Sequence, residues 1–174
     1  MTTRTIVEYP DPFLRRRADK VEQFDDNLAS MVEDLVDTLY AGACIGLSAP
    51  QIGDPRAVLV IDLSEDRSAP EVYINPEITG SAGFAFTREN CLSVPGIGCN
   101  VMRSATITVA AQAPDGTAFE RDLSDMHAVC VQHEMDHLAG ILLVDHLSWF
   151  GRLRLKLSPL GRRPVPAPPD HAAA

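Results

Sequence analysis

Residues 124–138 read SDMHAVCVQHEMDHL, a stretch that contains both a helix start signal and two histidines four residues apart. Ser124 is a residue type that favours the N-cap of a helix, and Gly140 lies where such a helix would end. The segment is therefore predicted to form a helix that runs to about Leu138. The second half of this helix carries the most informative residues of the chain.

Residues 133–137 form the pattern H-E-x-x-H. Side chains four residues apart in a helix lie on one face, with Cβ atoms about 5–6 Å apart, so the imidazoles of His133 and His137 can converge on one metal ion. Glu134, offset by one residue, is better placed to handle a metal-bound water than to bind the metal. The spacing fits metal-assisted hydrolysis. A surface helix with solvated histidines and acids is the alternative interpretation.

The motif by itself does not identify a third metal ligand. No glutamate follows Glu134, and the metzincin pattern H-E-x-x-H-x-x-G-x-x-H requires a histidine where this chain has Leu143. Cys130 is on the same helix, but its separation from His137 corresponds to about 10 Å of helix rise, too far for both to bind one ion. Cys91 lies in a polar, turn-prone segment from which a thiolate could reach an ion.

The rest of the chain shows one further clear helix and several short strands. Apolar residues recur with a helical period over residues 25–41, with an aspartate at 25 or 26 as N-cap and Gly42 as the stop. Residues 42–53 are predicted to form a loop. Five segments are predicted to be strands: residues 57–63, 72–75, 83–87, 103–111 and 117–121. Strands followed by a late helix favour an α+β fold over alternating βαβ units.

The composition is that of one globular domain. The chain has 174 residues, of which 45% are hydrophobic and 22% are charged, and these proportions suit a single core. A formal net charge of −9 argues against a surface built to bind nucleic acid or anionic lipid, so neither DNA nor a membrane is expected as a partner and any such contact would have to be local. The sequence shows no secretory or membrane-spanning run, so we expect a cytoplasmic protein with reduced cysteines.

Three segments, taken in order, resemble the motifs of the peptide deformylases. Residues 45–51 (IGLSAPQ) are similar to G-x-G-L-A-A-x-Q, residues 89–93 (ENCLS) to E-G-C-L-S, and residues 132–138 (QHEMDHL) to Q-H-E-x-D-H-L. The spacing of the motifs agrees as well, and the resemblance covers roughly residues 5–147. It implies antiparallel β-sheets packed around a central helix that carries the H-E-x-x-H motif.

The resemblance also implies a role for each motif residue. The metal ligands would be Cys91, His133 and His137. Glu134 would act as general acid/base, while Gln51 and the backbone N–H of Leu92 would stabilise the oxyanion. The ion would be Fe(II) in the cell, and Zn(II), Ni(II) or Co(II) would suit the same ligands. Six residues would form the substrate pocket: Ile45, Gly46, Asn90, Met126, Val129 and Cys130.

The implied reaction is hydrolysis of the N-formyl group from the N-terminal methionine of a new polypeptide, which releases formate. Five residues depart from the family motifs: Cys44, Ser48, Asn90, Asp125 and Val129. These departures motivate a second hypothesis, a homologue of weak activity that binds metal or nascent chains. A third hypothesis, a short peptidase with another third ligand, is disfavoured because no Glu or His follows at the required position.

The chain divides into two regions of different character. Residues 1–150 are interpreted as a single catalytic domain of the deformylase type, and residues 151–174 as a basic and then proline-rich tail. The tail is predicted to be disordered, because no apolar period is present to offset chain entropy. The basic segment 152–163 could contact ribosomal RNA, with a solvated tail as the alternative.

Overall fold

The computed structural model describes residues 2–162, which form three α-helices and seven β-strands. The helices are α1 (Asp26–Ala41), α2 (Asp125–Leu138) and α3 (Trp149–Leu157). The strands are β1 (Gly46–Ser48), β2 (Val58–Ile61), β3 (Glu71–Ala82), β4 (Ala85–Asn90), β5 (Gly98–Arg103), β6 (Thr106–Gln112) and β7 (Ala118–Ser124). Within the described range, no helix is both long and apolar enough to cross a membrane.

The strands form two antiparallel sheets around α2. One sheet has five strands in the order β1-β2-β3-β6-β7, and the other consists of β4 paired with β5. α2 contacts strands of both sheets, including β1 and β2 of the first and β4 of the second. The predicted α+β architecture, with the motif-bearing helix between antiparallel sheets, is confirmed.

The prediction of a helix over residues 25–41 is confirmed by α1. The carboxylate of Asp25 accepts a hydrogen bond from the N–H of Leu28 (3.0 Å), as an N-cap residue does. The apolar residues with helical spacing are buried against β1 and β2, among them Leu35 and Leu39. This packing holds the start of β1, and with it one wall of the cavity described below.

α2 ends as predicted, at a glycine. Gly140 has a φ of 74°, and its N–H donates a hydrogen bond to the carbonyl of His137 (3.1 Å). A Cβ at this position would lie 2.5 Å from the carbonyl oxygen of Arg15, so both the backbone conformation and the space require glycine. The helix is anchored on its other side by apolar residues such as Ala128 and Val131, which pack against the five-stranded sheet.

One strand prediction and one loop prediction are wrong in ways that matter for the site. The segment 103–111 is not one strand, because Arg103 ends β5 while β6 begins at Thr106. The side chain of Arg103 is buried and pairs with Glu89 of β4, so Arg103 belongs to the smaller sheet. The predicted loop over residues 42–53 contains β1, which is too short for a periodic pattern to reveal.

The prediction of a disordered tail is wrong for the first residues of the segment 151–174. α3 covers part of this segment, with Ser148 as the capping residue at its N-terminus. Leu155 of α3 is buried in a cluster that includes Leu14, and this contact compensates for the weak apolar period of the segment. Residues 163–174 lie outside the described residues, and the division into domain and tail stays a prediction.

Candidate active site

A cavity of about 620 Å³ opens between α2, β4 and the segment that leads into β1. Eleven of the residues assigned to the site from the sequence line this cavity: Ile45, Gly46, Gln51, Asn90, Cys91, Leu92, Met126, Val129, Cys130, His133 and Glu134. The remaining residue, His137, is 1% exposed and contacts Cys91. The structure therefore brings all the predicted residues together, while their roles stay predictions.

Cys91, His133 and His137 offer three ligand atoms that all lie within 4.8 Å of one another. The Sγ atom of Cys91 is 3.2 Å from Nε2 of His137, and the two imidazole centroids are 5.2 Å apart. One thiolate and two imidazoles form a donor set that suits Zn(II), Fe(II), Co(II) or Ni(II) and leaves a coordination position open. These residues therefore fit a divalent metal ion.

The two imidazoles have different electrostatic environments. Burial lowers the pKa of His137 to about 3, which keeps its ring neutral and able to bind a metal. Burial also lowers the pKa of His133, but hydrogen bonds with Cys91 and Glu89 outweigh this effect and raise the pKa to about 10. A ligand imidazole must be neutral, so metal binding competes with protonation of His133.

Glu134 lies next to these ligands but is not one of them. Its side chain is 4% exposed, and its Oε2 atom has no hydrogen-bond partner within residues 2–162. Burial raises the pKa of Glu134 to about 7. Gly46 leaves room for this carboxylate, because a Cβ at Gly46 would lie 2.8 Å from Oε1. A carboxylate with a free oxygen and a pKa near neutrality is suited to exchanging protons with water.

Gln51 is oriented by a capping box in which Ser48 is the N-cap residue. The Oε1 atom of Gln51 accepts hydrogen bonds from the N–H (2.9 Å) and the hydroxyl (2.8 Å) of Ser48. Its Nε2 atom is therefore turned towards Ser93 (3.2 Å) and the Sγ of Cys91 (3.6 Å). The N–H of Leu92 has no acceptor in the described part of the chain. The Nε2 of Gln51 and the N–H of Leu92 are thus two donor groups beside the ligand group, of which Gln51 has acceptors in Ser93 and Cys91.

Glu89 connects the smaller sheet to α2. Its carboxylate accepts two hydrogen bonds from the guanidinium of Arg103 (both 2.9 Å) and lies 2.8 Å from Nδ1 of His133. Burial raises the pKa of Glu89, but the hydrogen bonds from His133 and Arg103 outweigh it and lower the pKa to about 2. Because Nδ1 of His133 is held by a carboxylate, Nε2 is the atom left to bind a metal.

The ion pair between Arg103 and Glu89 was not predicted from the sequence. Arg103 also pairs with Asp136 (2.6 Å), and Nε2 of His146 lies 2.8 Å from the same carboxylate. The alternation of side chains in a strand could have indicated this ion pair. Arg103 lies two residues after Val101 in β5, so both side chains are on the same, buried face of the strand. A charged residue on the buried face of a strand requires a partner of opposite charge.

Two departures from the family motifs can be interpreted in the structure. Asn90 belongs to β4 and does not have a positive φ, and its Oδ1 atom lies over Gly98, where a Cβ would be only 2.6 Å away. Asp125 has a φ of 53°, a left-handed conformation that glycine adopts more easily and that aspartate tolerates better than most residues. Neither residue displaces a metal-binding atom.

The other thiols of the cavity are not suited to binding metal. Burial raises the pKa of Cys130 to about 12 and that of Cys44 to about 11, so both stay protonated at neutral pH. Cys130 and Val129 are buried, whereas Ile45 and Met126 are exposed at the edge of the cavity. The wall is therefore apolar and can accommodate an unbranched, apolar side chain.

Replacing Arg103 with methionine is expected to lower the free energy of unfolding by about 3–5 kcal/mol, because the variant leaves the buried charge of Glu89 without its main partner. Urea unfolding at pH 7 measures this loss. Arg121→Met is the matched control, since Arg121 pairs with Glu71 at the surface, where an ion pair contributes less than about 1 kcal/mol. Equal losses in the two variants would contradict the importance of the buried network.

Comparisons with known proteins agree with this geometry. The sequence model of the family described as polypeptide deformylase matches residues 3–152. The peptide deformylase of Nitrosococcus oceani is 43% identical over 156 residues, covering 90% of this chain and 93% of that protein. The peptide deformylase of Cellvibrio japonicus is 45% identical over 157 residues, with the same two coverages.

Solved structures show the same similarity at the level of the fold. A peptide deformylase from Legionella pneumophila superposes with a TM-score of 0.86 at 40% identity, over 90% of this chain and 92% of that one. A second, from Thermotoga maritima, gives a TM-score of 0.81 at 36% identity, over 85% and 99% of the two chains. With its sequence matched almost throughout and its fold shared, this chain belongs to the polypeptide deformylase family.

Proposed function

We propose that this chain hydrolyses the N-formyl group at the N-terminal methionine of newly made polypeptides and releases formate. Membership of the polypeptide deformylase family supports the reaction class. The observation that carries the proposal is the group formed by Cys91, His133 and His137, whose ligand atoms lie within 4.8 Å of one another beside the buried carboxylate of Glu134.

We propose that Cys91, His133 and His137 hold one divalent ion, with Fe(II) as the ion in the cell and Zn(II), Ni(II) or Co(II) able to replace it in purified protein. The donor set and its neutral His137 support this assignment. When bound, such an ion supplies a Lewis acid that polarises the formyl group and lowers the pKa of a water molecule. A thiolate beside ferrous iron is prone to oxidation, so anaerobic preparation preserves activity.

The protein side chains perform the proton transfers and hold the substrate. Glu134 accepts a proton from the attacking water and transfers it to the amine that leaves. Gln51 Nε2 and the N–H of Leu92 donate hydrogen bonds to the formyl oxygen as negative charge develops there, a contribution of about 3–4 kcal/mol for each donor. The burial of Glu134 supports its role, because a pKa near 7 allows the carboxylate both to accept and to return a proton.

The methionine side chain of the substrate occupies the apolar part of the cavity in this proposal. Ile45, Met126, Val129 and Cys130 all line that cavity, and none of them carries a charge. Gly46 and Asn90 also line the cavity, and in this proposal the peptide backbone of the substrate passes along them. The lining suits methionine because both the side chain and the wall are apolar and polarizable.

A Glu134→Gln variant is expected to lose formate release by about 10²–10⁴-fold, because the glutamine cannot accept the proton. Release of formate from formyl-Met-Ala-Ser by anaerobically prepared protein loaded with Fe(II) or Ni(II) measures this effect, with metal content determined in parallel. Glu33→Gln is the matched control, since Glu33 is exposed on α1. An active Glu134→Gln variant would refute the role of Glu134. A fully metallated but inactive natural protein would favour the homologue of weak activity that binds metal or nascent chains.

A Cys91→Ser variant is expected to bind the metal at least about tenfold more weakly, because a hydroxyl replaces the thiolate ligand. The metal content after dialysis against a weak chelator measures the loss. Cys99→Ser is the control, since Cys99 contacts the carbonyl of Leu143 (3.5 Å) and does not line the cavity. Full retention of metal in Cys91→Ser would revive the peptidase hypothesis with a different third ligand.

We also propose that the chain works in the cytoplasm, where formylated polypeptides leave the ribosome, and that the basic segment 152–163 contacts ribosomal RNA. Arg154 and Lys156 of α3 are exposed and make no ion pair among residues 2–162, so their charges are available to an anionic partner. Arg152 is less free, because its guanidinium donates to the carbonyls of Asp145 and Leu147.

Co-sedimentation with ribosomes is expected to weaken as salt is raised, and to fall at least about threefold when Arg154 and Lys156 are both replaced by glutamate. The double variant Arg17→Glu, Lys20→Glu controls for the same change in net charge, because both residues are exposed and lie far along the sequence from α3. Absent or salt-insensitive co-sedimentation would leave the basic segment as a solvated surface.

A further inference from the structure

The smaller sheet has a solvent-facing side that we call the outer face, formed by Phe86, Arg88 and Asn90 of β4 with Asn100 and Met102 of β5. The alternate residues of the same strands, such as Glu89 and Val101, are turned inward and buried. The side chains of Phe86 and Met102 are directly opposite each other in the strand register and are 76% and 57% exposed. Side chains so paired lie about 4.5–5.5 Å apart at Cβ and form one apolar spot.

The outer face is continuous with the catalytic cavity. Arg88 and Asn90 belong to this face and also line the cavity next to Cys91. Alternate residues of a strand are about 6.6–6.8 Å apart, so Phe86 lies about 13 Å along β4 from Asn90. An extended peptide rises by the same distance per residue, so a chain leaving the cavity along β4 reaches the apolar spot after about four residues.

We propose that the outer face binds the segment of the formylated polypeptide that follows the residues held in the cavity, and that Phe86 and Met102 select apolar side chains in that segment. This inference rests on the proposed function. A phenylalanine and a methionine form a contact that adapts to many apolar partners, as an enzyme of diverse polypeptides requires. The buried pairing of Glu89 with Arg103 holds the sheet in place from its other side, so the face is formed before substrate arrives.

A second copy of this chain is the competing occupant of the outer face. A stable dimer buries about 800 Å² on each partner. The apolar spot consists of Phe86 and Met102, and an aromatic side chain contributes about 150–250 Å². The apolar spot is therefore small for a dimer interface and of suitable size for two or three side chains of a peptide.

The test compares kcat/KM for three substrates of the metal-loaded full chain. The first is formyl-Met-Ala-Ser, the second extends it with Leu-Phe-Leu-Val, and the third extends it with Ser-Gly-Asn-Ser. We expect kcat/KM for the apolar heptapeptide to exceed that for the polar heptapeptide by about five- to tenfold. In the double variant Phe86→Ser, Met102→Ser this preference is expected to fall to about one, with kcat/KM for the tripeptide unchanged.

Ile78→Ser serves as the matched control, because Ile78 is also an exposed apolar strand residue but belongs to β3 in the other sheet. It is expected to keep the preference for the apolar heptapeptide. Equal kcat/KM for the two heptapeptides in the natural protein, with the tripeptide hydrolysed, would overturn the inference and leave the proposed function intact. No hydrolysis of the tripeptide would overturn both.

Sedimentation at several protein concentrations distinguishes peptide binding at the outer face from dimer formation through it. A monomer over the range of the kinetic assays supports the peptide-binding role of the outer face. A dimer that is lost in the Phe86→Ser, Met102→Ser variant would overturn it and identify the face as a contact between copies of the chain.

Discussion

The arrangement of the site depends on the contacts that the buried carboxylate of Glu89 makes. This carboxylate joins Arg103 at the end of β5 to His133 on α2, and so fixes the smaller sheet against the helix that carries the H-E-x-x-H motif. Cys91 lies two residues after Glu89, and its thiol consequently lies beside His137. Gln51 adds a second contact to the thiol, since its Nε2 atom lies 3.6 Å from Sγ of Cys91.

A second constraint is space inside the cavity. Gly46 allows the carboxylate of Glu134 to lie against β1, and Gly98 allows the side chain of Asn90 to fold over β5. Each glycine faces a polar side chain that approaches the backbone closely, and neither glycine has a positive φ angle. Asn90 and Gly98 are thus complementary, which explains how a residue larger than the glycine of the family motif is accommodated in β4.

Much of the fold could be predicted from periodicity and capping residues. The apolar spacing of residues 25–41, the aspartate at their start and the glycine after α2 act within one or two helical turns, so they can be read without knowledge of distant contacts. The predictions that were wrong concern β1, β5 and α3. In each case pairing with a neighbouring strand or burial of one leucine stabilises a segment whose own sequence pattern is weak.

The sequence by itself determined that two histidines and a glutamate share a helix, because a spacing of four residues has the same geometry in every α-helix. The resemblance to known motifs then supplied Cys91 and Gln51 as partners. Only the tertiary structure decided that the Cys91 thiol lies 3.2 Å from His137, that Glu134 is buried with a raised pKa, and that Arg103 supports the ligands. Distances between residues far apart in sequence, and the loss of water around a charge, are set by how the sheets pack against the helix.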